Sequence, residues 1–247
     1  MVISIVQFVI TALLAVVGAR ALSISGGDVP VLAMVIPALW ILPHSGVAGF
    51  LLLGAMAVYG FTLPLQPIAM SLSVWILFPL LMVTFSRRSS IYVVITTAAV
   101  ICTMQLGIMV TQAEGKIDGS WTVTLAQTLS VMVVWYASQN WSSSSQHSWW
   151  TLAFILALYI GGWTHAALIA LCIVGIIASA ETLPKFSKFK WNKLLCWTLP
   201  TVGFAAIVAA PDIEVPNPVF VVWIFLLGTA WATDFVLRSN EREQDGD

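Results

Sequence analysis

Five polar residues set in apolar stretches carry the chemistry most able to reach a solute: Arg20, Asp28, Gln105, Thr124 and Gln127. Arg20 closes the first apolar run and is followed by Ser23, Ser25, Gly26, Gly27 and Asp28, with Pro30 opening the next run. Its guanidinium has the forked donors to hold a carboxylate or phosphate, with Gly26-Gly27 as a pliable backbone beside it. The plainer reading is the stronger one: an Arg whose head reaches the membrane interface and pairs with Asp28.

Gln105 and the stripe Ser120, Thr124, Gln127 and Thr128, with Gln7, Thr11, Thr96 and Thr103, recur at spacings of three, four and seven. Such spacings put side chains on one helical face. A face of this kind either lines a solute path or bonds helix to helix, because an unpartnered amide in hydrocarbon is costly, and helix bonding is the stronger reading.

Asp234 and Arg238 stand four apart in the last apolar run, so their side chains meet as a helix-end pair, in preference to an ion-coupling carboxylate. Residues 185–193 interleave Lys185, Lys188, Lys190 and Lys193 with Phe186, Phe189 and Trp191. That segment could touch anionic lipid headgroups or a partner subunit, although ordinary orienting charge explains it more simply.

Catalytic and metal templates find little support. Cys102, Cys172 and Cys196 are isolated, His44, His147 and His165 fall on different sides of the predicted topology, and no metal site or cofactor is expected. Pro43-His44-Ser45-Gly46-Val47 lacks the glycines of a nucleophile elbow, and no HExxH, P-loop or dinucleotide loop occurs. Asn140-Trp141-Ser142 is a glycosylation sequon placed on the cytoplasmic side, where it would not be used.

The elements that must position these residues are membrane helices. The 247 residues are 60% hydrophobic and 9% charged, with mean hydropathy +0.96, whereas soluble domains are about 25% charged. The spacing predicts helices over 2–20, 29–43, 46–62, 66–86, 90–111, 119–138, 149–161, 164–180, 194–210 and 218–237, about ten segments in one all-α transmembrane domain. The pairs 29–43 with 46–62 and 149–161 with 164–180 are either two crossings or a re-entrant hairpin. Ala19-Arg20-Ala21 resembles a signal-cleavage site, but no Lys or Arg precedes the apolar run, so a retained first helix is expected.

Arg87, Arg88, Lys185, Lys188, Lys190, Lys193, Arg238 and Arg242 fall on one side of this scheme, and only Arg20 and Lys116 on the other. The bias places both termini, including the polar tail 238–247, in the cytoplasm of a cell whose plasma or inner membrane holds the chain. Trp121, Trp141, Trp149, Trp150, Trp163, Trp191 and Trp197 sit near helix ends, as interfacial anchors do. A net charge of −1 leaves no basic field for nucleic acid.

Five helices per half make 1–111 and 119–237 opposite in topology, with short second helices and with Pro79 and Pro200 in the fourth of each. This is a weak sign of an inverted repeat, since the prolines lie at unequal depths and no aligned identity supports it. The leading functional expectation is a permease or membrane subunit of a small-solute transport system. A scaffold subunit that meets other proteins through 181–193 is the second, and an intramembrane enzyme using Glu181, His165 or Asp28 on a lipid-linked substrate the third.

Overall fold

An apolar chain with no water to bond its backbone must satisfy every N–H and C=O internally, and helices do that locally. The computed structural model describes residues 2–86, 89–139, 149–186 and 191–244, and among them every regular element is a helix and no strand occurs. In chain order these are α1 (Val2–Ile24), α2 (Val31–Thr62), α3 (Ile68–Ser73), α4 (Leu77–Thr84), α5 (Ile91–Ala113), α6 (Trp121–Gln139), α7 (Leu152–Ile160), α8 (Thr164–Phe186), α9 (Trp191–Val208) and α10 (Asn217–Gln244). Single 3-10 turns at Leu63–Leu65, Val74–Ile76 and Trp149–Thr151 join some of them.

Five helices are long and apolar enough to cross a membrane: Val2–Ile24, Gly46–Leu65, Ile91–Ala113, Thr164–Leu183 and Asn217–Ser239. Four of them carry exposed Val, Leu, Ile or Phe along their outward faces, and Thr164–Leu183 exposes Leu168 and Leu171, a surface that hydrocarbon would cover. The remaining apolar helices, Val31–Leu42, Ile68–Thr84, Trp149–Ile160 and Lys193–Val208, are shorter. At 1.5 Å per residue Val31–Leu42 is about 18 Å long, well short of a hydrocarbon core of about 30 Å. Among the described residues, then, five helices suit a multi-pass membrane protein by length and composition.

The break expected after Leu42 lies inside α2, where Gly46 takes φ 53° and ψ −135°. The two arms fold back on each other, so that a Cβ on Gly60 would lie 3.1 Å from Met34 Cβ and 3.5 Å from Val31 Cα. Only glycine adopts the Gly46 conformation cheaply. Gly46→Ala is expected to destabilise the protein by about 1–3 kcal/mol through backbone strain alone, since nothing lies within 4 Å of the added Cβ. Gly54→Ala, in regular helix and equally open space, is the control and should leave the thermal midpoint unchanged or raise it.

The expected single helix 66–86 is instead α3, a 3-10 turn and α4. Pro79 has no N–H to bond the carbonyl of Trp75, and its ring crowds that carbonyl. The chain tightens into the Val74–Ile76 turn one helical turn before it. Pro200 stands inside α9, where Thr201 donates to the carbonyl of Trp197 at 2.8 Å.

The first arm of α2 is the most enclosed part of the bundle, with Ala33, Ile36 and Ala38 fully buried. Around it the core gathers Leu77 and Leu80 of α4, Val131 of α6, Ala170 of α8, Phe204 and Ile207 of α9 and Leu226 of α10. Phe204 and Trp223 stack with ring centres 4.5 Å apart. α1 runs along α8 through small residues: a Cβ on Gly18 would meet Cys172 Cβ at 3.3 Å, and one on Gly175 would meet Leu14 Cδ1 at 2.9 Å. Close backbone approach of this kind replaces hydrophobic burial as the source of helix association in lipid.

Candidate polar site at one end of the bundle

Buried positions on α5 follow the helical repeat, at Thr97, Ile101, Gln105, Ile108 and Gln112, so Gln105 and Gln112 project from one face. On α6 the inward face is Thr124, Gln127, Thr128, Ser130, Val131 and Val134. The two faces meet the irregular segment after α2, where Gln66 stands in extended backbone between Pro64 and Pro67. Ser71 follows on α3.

These elements bring Gln66, Ser71, Gln112, Thr124 and Gln127 into one cluster in which every side chain is at least nine-tenths buried. Gln66 Nε2 donates to Gln127 Oε1 and, at 3.4 Å, to Ser71 Oγ. Gln127 Nε2 donates to Ser71 Oγ at 3.0 Å. Thr124 Oγ1 lies 3.1 Å from Gln66 Oε1 and 2.8 Å from Gln112 Oε1. A hydroxyl has one proton, so Thr124 serves one of these two oxygens at a time. Gln112 Nε2 is buried without a hydrogen-bond partner among the described residues. Tyr59 reinforces the cluster from α2, its hydroxyl donating to the Ser71 carbonyl at 2.9 Å.

No member of the cluster is charged at neutral pH, so it recognises neutral donors and acceptors and has no acid, base or nucleophile to offer. Beside it lies a narrow cavity of about 10 Å³, room for about one water molecule. Its walls are Met70, Ser73 and Val74 after α2, Gln105 of α5, Thr124 of α6 and Val222 and Trp223 of α10.

Three of the five residues expected to bind a solute thus converge: Thr124 and Gln127 in the cluster, Gln105 and Thr124 on the cavity wall. Arg20 and Asp28 do not join them. Arg20 is half-buried near the end of α1 with its Nη1 unpartnered among the described residues, and Asp28 is exposed on the turn that follows. The pairing of these two expected from the sequence does not form, because the chain turns away: Gly27 packs so closely that its Cβ would lie 2.9 Å from Ile68 Cδ1 and 3.2 Å from the Leu63 carbonyl oxygen. Gly26 and Gly27 both take positive φ, 61° and 83°, so this backbone is a tight turn set against the bundle.

Thr96 and Thr103 face outward, and Thr103 returns its hydroxyl to the Ala99 carbonyl at 2.8 Å. Hydroxyls satisfied on their own helix cost little in lipid. Sequence reasoning missed Gln66, Ser71 and Gln112. Gln112 repeats Gln105 at seven residues, a readable signal that a helix end placed at 111 excluded. Gln66 and Ser71 lie at a break between prolines, where periodicity says nothing.

At the other end of the bundle Asp234 holds two cations. Lys193 Nζ pairs with its Oδ1, and Arg238 meets Oδ2 at 2.6 Å across one helical turn. Lys193, expected to face lipid or a partner, is therefore engaged within the chain. Asp234→Asn is expected to lower stability by about 1 kcal/mol, the scale of a partly exposed ion pair. A structural role predicts a lower thermal midpoint, less so at high salt, with any solute flux intact; an ion-coupling role predicts lost flux at an unchanged midpoint. Arg87, Arg88, Asn140-Trp141-Ser142, His147, Lys188 and Lys190 lie outside the described residues, as do the side chains of His44 and Lys185.

Among the described residues no group of three metal-ligating side chains gathers. His165 and Glu181 stand at opposite ends of α8, about 24 Å apart along its axis. Compared with protein-family models, curated proteins and solved structures, the chain finds no match.

Proposed function

We propose that this chain is a small-solute permease or the membrane subunit of a small-solute transport system. The observation that carries the reading is the buried, uncharged amide and hydroxyl cluster set against a cavity at a point where the backbone is irregular. Irregular backbone at membrane depth is tolerated where it is enclosed by protein or lines a cavity, and transporters place binding sites there. The solute class that suits the site is a neutral molecule rich in hydrogen-bonding groups, since nothing in the cluster balances a charge.

The cavity holds about one water, so the described state is closed around the site and passage requires helices to part. In this reading the chain has about ten membrane segments, with the short helices completing the crossings. Its Lys and Arg bias sets both termini in the cytoplasm of a plasma or inner membrane. Reporter fusions at Asp118 and at the C-terminus test the orientation, the proposal requiring opposite sides.

The experiment is flux into proteoliposomes for a panel of neutral polar and charged solutes, with Gln127→Leu as the paired variant. Saturable uptake of a neutral solute that the variant loses supports the reading. A panel with no uptake and no stabilising ligand counts against it.

A scaffold subunit is the second reading, favoured by one fact: most of the cluster's bonding capacity is already used between helices. Crosslinking in native membranes that captures a defined partner at residues 181–193, with no uptake in liposomes, selects it.

A further inference from the structure

Contrary to the expectation of no aligned identity, two parts of the chain 120 positions apart carry matching residues, although Ser4 Oγ has no partner among the described residues where Thr124 is bonded. Ser4-x-x-Gln7 matches Thr124-x-x-Gln127, and Thr62-Leu63-Pro64 matches Thr182-Leu183-Pro184, all at that one offset. Thr62 shares its hydroxyl proton between the carbonyls of Val58 and Tyr59 at 3.0 and 2.9 Å. Thr182 does the same with Ala178 and Ser179, at 3.1 Å each. Leu63 and Leu183 are both completely buried. Ser4 and Thr124 are buried too, at 1% and 2% exposure.

Each glutamine also reaches the end of a long helix in the other half, through different partners: Gln127 meets Gln66, four residues past Thr62, and not Thr62 itself. Gln7, near the start of the first helix, donates to Thr182 near the end of the eighth. Gln127, near the start of the sixth, accepts from Gln66 just past the second arm of α2. The two contacts lie at opposite ends of the bundle. The turn that ends α1 touches Leu63 and Ile68, which places the Gln127 cluster there, about 25 Å along α1 from Gln7.

The lengths of the helices repeat as well. Val2–Ile24, Gly46–Leu65 and Ile91–Ala113 have 23, 20 and 23 residues. Trp121–Gln139, Thr164–Leu183 and Asn217–Ser239 have 19, 20 and 23. Between them stand short helices at the same places, Val31–Leu42 and Ile68–Thr84 in the first half, Trp149–Ile160 and Lys193–Val208 in the second. Packing follows the same exchange: α1 lies on α8 and α9, and α6 lies on α2 and on α3 with α4. Several pairings depart from it. α10 packs on α3 and α4, while α5 and α9 make no comparable contact; α5 packs on α6 and α8 on α9, while α10 with α1 and α2 with α3 or α4 make no comparable contact.

We propose that residues 2–113 and 121–239 are inverted five-helix repeats, and that the Gln7–Thr182 and Gln127–Gln66 contacts, each joining the first helix of one repeat to the end of the long third helix of the other, are counterparts in place though not in partner residue. The two contacts close opposite ends of one path. An odd number of crossings inverts the second half, and two inverted copies in unlike packing exchange roles when the path opens to the other side. The unmatched pairings are that unlike packing. The gating role rests on the permease reading; the duplication does not.

The test uses the full chain with Cys102, Cys172 and Cys196 replaced by Ser and one cysteine placed on the cavity wall by Ser73→Cys. A membrane-impermeant maleimide is applied to one face of sealed vesicles and then to the other. Gln127→Leu should raise labelling from the face bearing residues 114–120, and Gln7→Leu from the opposite face. Gln7→Leu should gain about fivefold, the population change from losing one ordinary hydrogen bond, and Gln127→Leu more, since it loses two. Gln127→Asn and Gln7→Asn, which keep an amide one carbon shorter, should move labelling the same ways by smaller steps and serve if a Leu variant does not accumulate. Gains on the same face, or a gain from one glutamine only, overturn the proposal. Opposite-face gains in a protein that moves no solute would leave the repeat standing and sink the permease reading.

Discussion

Gln127→Leu is expected to cost about 2–4 kcal/mol, because a side chain of similar size removes both the acceptor for Gln66 and the donor to Ser71. Gln127 is completely buried, so water cannot replace the lost bonds, and each buried group left unpaired costs about 1–3 kcal/mol. In lipid such bonds between helices fall at the lower end of that range. The thermal midpoint of the detergent-purified protein should drop by several degrees. Gln66→Leu combined with Gln127→Leu should cost less than the sum of the single changes, since the second removes a group the first left stranded. Additive losses would show that the two amides do not depend on each other.

Gly119→Ala carries the second large effect, for two independent reasons. Gly119 has φ +101°, and a Cβ there would lie 2.9 Å from Gln112 Nε2 and 3.2 Å from Gln66 Cβ. Backbone strain and overpacking together predict a loss of about 2–4 kcal/mol. Gly115→Ala separates them, since Gly115 also has positive φ, +69°, but nothing within 4 Å of its Cβ. It should cost only the strain, about 1–2 kcal/mol. Equal losses at the two glycines would mean that the turn after α5 does not press on the cluster. If transport depends on the cluster, Gly119→Ala should also depress flux where Gly115→Ala does not.

Much of this molecule is legible residue by residue. The three-residue step from Thr124 to Gln127 puts polar groups on a single face before any partner is known, because helical periodicity is a local property. The break near Gly46 follows from the Pro43 to Gly46 stretch, whereas Pro79 breaks a run expected as one helix. Arg20 shows the limit. Its nearness in sequence to Asp28 suggested a pair, and the two positive-φ glycines between them turn the chain onto Leu63 and Ile68 instead. Lys193 shows it again: its partner is Asp234, 41 residues away.

The sequence by itself determined that the chain is helical and suited to a membrane, because hydropathy and period are sums over neighbouring residues. It also put Thr124, Gln127 and Thr128 on one face of α6. Only the tertiary structure decided that Gln66, Ser71 and Gln112 complete the cluster with Thr124 and Gln127. Those partners come from a proline-bounded break, a short helix and a helix end, and hydrogen bonds between segments 56 to 61 residues apart depend on how the helices pack.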